Sequence, residues 1–159
     1  MTPLDPARVL IVANRTAPTP ALVEAIRARV RRGPAAFHLV VPAMPRGLHR
    51  VVDPEIAGRE EVRANLEVAL PRLSAAAGHE ISGEVGDASP VAAIADAMYG
   101  TGFDEIIVST LPSRLSRWIK MDLPNQPRSF GVPVTHVHPE AVDACAVELS
   151  ADRLALQPL

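Results

Sequence analysis

The chain has 159 residues, with 16 Lys and Arg against 18 Asp and Glu and a formal net charge of -2 with His neutral. At 48% hydrophobic and 21% charged, this is the composition of one globular domain with a core of its own, which excludes a disordered chain. The charge balance disfavours a broad nucleic-acid footprint, and the single cysteine, Cys145, excludes an internal disulfide framework. The start M-T-P-L-D-P-A-R has no basic region leading into an apolar core of signal-peptide length, and no uninterrupted apolar run reaches membrane-spanning length. The expectation is a cytoplasmic protein with no membrane partner.

In chain order, R-V-L-I-V-A at 8–13 reads as a buried strand, broken by Asn14 to Pro20. Thr19 is a candidate N-cap, with Pro20 at the first helical position. Leu22, Ile26 and Val30 make one apolar stripe, while Arg27, Arg29, Arg31 and Arg32 lie largely off it, and Gly33-Pro34 stops the helix. F-H-L-V-V-P at 37–42 is a second strand, followed by a loop at 43–59. A helix is expected over 60–77 on Val62, Leu66, Leu70, Leu73 and Ala77, with Pro71 as a kink or break and Gly78 as its close. H-E-I-S-G-E-V at 79–85 alternates as a third strand.

Gly86 and Asp87 then turn the chain. Ser89 caps a helix that starts at Pro90 and buries Val91, Ile94, Ala95 and Met98. E-I-I-V at 105–108 and P-V-T-H-V at 133–137 are the fourth and fifth strands. Strand runs that are apolar throughout, separated by helices, predict an α/β fold: an open five-stranded, mostly parallel sheet with helices on both faces. A-V-E-L at 146–149 and L-A-L-Q at 154–157 alternate and suggest a short hairpin. The expected division is a domain over residues 1–138 and a C-terminal extension over 139–159, placed at a dimer interface.

In such sheets ligands sit at the carboxyl ends of strands, near a switch in strand order. Asn14 and Arg15 follow the first strand, Asp87 the third, and Ser109 and Thr110 the fourth. Each offers an amide, cation, carboxylate or hydroxyl where a nucleotide or small anion would lie, although Asn14 can equally bond its own turn and Asp87 can serve the helix N-terminus. Leu111, Leu115 and Trp118 or Ile119 have helical spacing, and Arg114, Arg117 and Lys120 recur every three residues. Arginines so placed can grip a phosphate bidentately, or form a solvated basic face. There is no G-x-G-x-x-G, no G-x-x-x-x-G-K-S/T, no H-E-x-x-H and no G-x-S-x-G. His136 and His138 share a strand face, but no further ligand spacing completes a metal site. His38 lies within a strand and reads as structural.

V-L-I-V-A at the start, G-D-A-S-P before the third helix, D-E-I-I-V-S, and G-V-P-V-T-H-V at the end together make residues 8–138 resemble the universal stress protein family. The resemblance implies a Rossmann-like fold of the adenine nucleotide alpha hydrolase type, frequent homodimers and, in some members, nucleotide binding. ATP-binding members place an acidic residue where this chain has Asn14. They follow the fourth strand with a loop whose small residues match Ser109, Pro112, Asp122 and Leu123 here. Pro112 removes a backbone donor and Asp122 adds a charge of the wrong sign, so the family's phosphate cradle is not expected.

The function expected on that resemblance is a regulatory or protein-interaction role in a stress-protein-like homodimer, without ATP held by a glycine loop and with no assigned biochemical activity. The alternative is ATP, AMP or a small anion held by a non-glycine loop through Asn14, Arg15, Asp87, Ser109, Thr110, Arg114 and Arg117. A small phosphoester hydrolase ranks lower, because no nucleophile and base can be paired from the sequence.

Overall fold

The computed structural model describes residues 5–13, 19–43, 54–109 and 130–137, with side chains in the second helix described from residue 59 onward. Five parallel strands form one sheet: β1 (Ala7–Ala13), β2 (Ala35–Pro42), β3 (Ser82–Gly86), β4 (Glu105–Ser109) and β5 (Val134–Val137). Among the described residues, three helices connect β1 to β2, β2 to β3 and β3 to β4: α1 (Pro20–Arg31), α2 (Pro54–Ala77) and α3 (Pro90–Gly100). The spatial order is β3-β2-β1-β4-β5, so the chain runs outward from β1 in one direction and then reverses at the β1/β4 boundary.

The apolar strands are apolar throughout because both faces are covered. On one face Val9, Ile11 and Ala13 pack with Phe37, Leu39, Val41 and Ile107 under α1 and α2. On the other, Leu10 and Val12 pack with Val40, Ile106 and Val108 under α3. Alternate residues of V-L-I-V-A thus feed two separate cores.

The helix starts match their sequence signals. The Thr19 hydroxyl accepts the Leu22 N–H at 3.3 Å, and the Ser89 hydroxyl accepts that of Ala92 at 3.5 Å, each ahead of a proline at the first helical position. Gly78 closes α2 with φ +77°, a left-handed conformation that glycine adopts without steric cost, and donates to Ser74 O at 2.9 Å.

Four expectations need correction. The second helix begins at Pro54, six residues before 60, and Pro71 neither ends nor splits it. Pro71 and Glu67 are both exposed, so the carbonyl deprived of its helical donor lies on the water side. The third strand starts at Ser82, not 79, because Ile81 N–H is taken by the Ser74 hydroxyl at 2.9 Å in the turn that leaves α2. In α3, Ala93 and Ile94 are buried while Ala95 is exposed, a rotation of one step from the expected stripe. Finally, Arg29 is buried at 8% exposure instead of lying off the core face. The fifth strand is confirmed over Val134–Val137. The extension over 139–159, with its hairpin, lies outside the described residues.

Candidate functional site

The reversal of strand order places the carboxyl ends of β1 and β4 side by side, with Ala13 in register with Ser109. Helices on either side of such a reversal splay apart, and this is where open α/β sheets leave room for ligands. Ser109 is fully buried, and its hydroxyl has no hydrogen-bond partner among the described residues. A buried hydroxyl without a partner gives up its hydration for nothing in return, which makes it unusual in a folded protein.

Asp87 stands at the end of β3. Its Oδ1 accepts the Ser89 N–H at 2.8 Å, the local turn that competes with ligand binding at this position. Two strands separate β3 from β4. At about 4.8 Å per strand, Asp87 and Ser109 are roughly 14 Å apart along the sheet. One small anion cannot touch both, whereas an extended mononucleotide has the length to do so. Asn14, Arg15, Thr110, Arg114 and Arg117 lie outside the described residues, as do Pro112, Lys120 and Asp122.

Among the described residues, no group of three or more His, Cys, Asp and Glu is placed to hold a metal ion. None of their helices is long and apolar enough to cross a membrane.

The chain matches several solved structures along most of its length. It is similar to a universal stress protein in complex with cAMP, with a TM-score of 0.57 and 18% identity over 83% of this chain and 97% of that one. The fold is that of the universal stress proteins. A protein of that family from Burkholderia pseudomallei aligns at a TM-score of 0.53 and 19% identity, over 82% of this chain and 95% of its own. A hypothetical protein aligns at 0.55 and 13%, over 82% and 96%. No family model and no curated protein matches the sequence. The expectation of a stress-protein-like sheet with helices on both faces is therefore met at the level of the fold.

A second polar group, at the opposite ends of the strands, had not been expected. His38 on β2 has its Nδ1 2.7 Å from Ser82 Oγ and its Nε2 3.2 Å from Glu84 Oε1, both on β3. The alternation of Ser82 and Glu84 was visible in the sequence; the register that sets His38 opposite Ser82 was not.

Proposed function

We propose that the chain is a stress-protein-like regulatory module that acts through assembly and protein contact and does not hold ATP in a glycine loop. The observation that carries this reading is Ser109: a fully buried side chain stands where the resemblance would place the first glycine of a phosphate cradle. Glycine serves in such cradles because the backbone can approach the phosphate closely. A serine methylene and hydroxyl in that place, followed by Pro112 and Asp122, works against that approach. The single cysteine accords with a cytoplasmic setting.

Assembly as a homodimer is part of this proposal. β5 is an edge strand with Thr135 and His136 exposed, and an edge strand offers backbone groups to a second chain. Sedimentation should give a dimer at working concentrations; a monomer throughout would remove the assembly part of the reading.

The second reading is a nucleotide or small-anion module with a non-glycine grip, and it is favoured by the Ser109 hydroxyl at the strand-order reversal, which has no hydrogen-bond partner among the described residues. The stress protein of similar fold that holds cAMP supports including that ligand. Calorimetry and native mass spectrometry against ATP, AMP, cAMP and inorganic phosphate separate the two. The first reading expects no heat and no adduct. Binding that is lost in Ser109→Ala and weakened in Arg114→Ala establishes the second.

A further inference from the structure

The feature that the fold alone does not explain is a cleft of about 560 Å³ between the end of α3 and the amino-terminal ends of β1, β2 and β3. α3 runs back along the sheet and starts close against the end of β3. Gly86 admits the helix there: a Cβ on Gly86 would stand 2.8 Å from Ala93 Cβ. At the other end α3 finishes at Gly100, and the strand starts are left open beneath it.

Arg8, His38, Ser82, Glu84, Asp96 and Phe103 are among the residues lining this cleft. His38, Ser82 and Glu84 share the face of the sheet that α3 covers, whereas Gly83 between them faces α2 and meets Leu66 and Leu70. The His38 ring is stacked with Phe103, with centroids 6.1 Å apart and an interplanar angle of 25°. Ser82 is exposed, so its hydroxyl is open to an incoming molecule.

The three polar side chains form a directed relay. In the neutral imidazole, the tautomer that suits an ionised Glu84, which only accepts hydrogen bonds, carries its proton on the His38 Nε2 that faces it at 3.2 Å. Nδ1 is then left with a lone pair, 2.7 Å from Ser82 Oγ, and accepts from the hydroxyl. A nucleophile beside a base, with the base oriented by a third group, is the arrangement that activates a serine.

We propose that this cleft is an acyl-transfer site for small neutral esters, with Ser82 as nucleophile, His38 as general base and Glu84 as the positioning residue for the imidazole. Ser82 Oγ forms a bond to the ester carbonyl carbon while its proton passes to His38 Nδ1. The bond from that carbon to the leaving oxygen then breaks, and the same proton goes to the departing alcohol. Water repeats the sequence on the acyl-serine, which releases the carboxylic acid and restores Ser82, so no further reactant is needed. Arg8 brings a positive charge to the lining to meet the developing oxyanion. Glu84 and Asp96 set two carboxylates around the same space, which selects neutral esters over acidic ones. Ala36 and Ala97 leave an apolar margin for a short acyl chain.

The test treats the full chain with a fluorophosphonate probe, locates the adduct by peptide mass mapping, and follows p-nitrophenyl acetate turnover alongside. One phosphonyl adduct on Ser82, with fluoride lost, is expected; Ser82→Ala removes both adduct and turnover. His38→Gln slows labelling roughly 100-fold, the lower range for loss of a general base. Glu84→Ala also slows it, and Glu84→Gln recovers part of the rate because its amide oxygen still accepts from Nε2–H. An absent adduct, an adduct elsewhere, or equal labelling of wild type and His38→Gln overturns the proposal. Because Ser82 is exposed, Ser82→Ala retains the fold and decides the matter even where a His38 variant is unstable. The site is independent of Ser109, which lies at the other ends of the strands.

Discussion

The Arg29 guanidinium on the last turn of α1 is joined to the Glu105 carboxylate at the start of β4 by a 2.9 Å hydrogen-bonded ion pair, Nε to Oε1. Arg32 reaches the second oxygen of the same carboxylate at 3.2 Å, and Arg29 also donates to Gly33 O at 3.4 Å. The pair thus ties the helix that follows β1 to the strand on β1's other side.

The two partners are unequally buried, so their removal is expected to cost unequal amounts. Glu105→Ala leaves the almost fully buried Arg29 without its counter-charge and should cost about 3 kcal/mol. Arg29→Ala should cost less, about 1–2 kcal/mol, because Glu105 is partly solvated and keeps Arg32. Urea denaturation of both variants checks this, and equal losses would contradict the desolvation of Arg29.

Ser109→Ala is expected to raise stability by about 1 kcal/mol, since it deletes a buried hydroxyl that has no partner among the described residues. Thermal or chemical denaturation without ligand measures it. A loss of stability would mean that the hydroxyl is engaged.

Gly86→Ala should be destabilising by about 1–3 kcal/mol, as expected for an overpacked contact. The added methyl would meet Val40 Cγ1 at 2.7 Å and Ala93 Cβ at 2.8 Å, and Ala93 Cβ can retreat only if α3 moves with it. Gly83→Ala meets Leu70 Cδ2 at 2.9 Å and Leu66 Cδ1 at 3.0 Å, the ends of side chains that can turn aside, so it should cost less. The ranking of the two midpoints in denaturant is the readout.

Glu24 titrates below its ordinary value, chiefly because its carboxylate accepts a hydrogen bond from Arg31 at 2.8 Å. A depressed folded-state pKa contributes stability above the unfolded pKa, and that contribution disappears as pH falls through the folded value. Both groups are exposed, so the effect is small and weakened by salt. NMR titration should find the Glu24 midpoint low in wild type and moved upward in Arg31→Ala.

Much of the fold was legible in local pattern. V-L-I-V-A, L-V-V and I-I-V are apolar on consecutive residues because both faces of the sheet are covered there, and a sequence records that directly. Thr19-Pro20 and Ser89-Pro90 marked helix starts because a cap is a contact between residues three apart. Pro71 does not break α2, because proline's cost depends on which side of the helix its lost bond faces. Arg29 misled because a cation can be buried when a distant carboxylate meets it, and Glu105 is 76 residues away.

The candidate sites divide on the same line. Ser109 and Asp87 were identifiable from the sequence because strand ends are local features, but the burial of one hydroxyl and the turn bond of the other carboxylate depend on what surrounds them. The group of His38, Ser82 and Glu84 was illegible, since two strands 44 residues apart can pair in many registers with the same composition. By itself the sequence determined which segments become strands and helices, through periodicity and capping. Tertiary structure alone decided the β3-β2-β1-β4-β5 order, the register that sets His38 against Ser82, and the burial of Arg29, because each is a contact whose free energy exists only once distant segments have met.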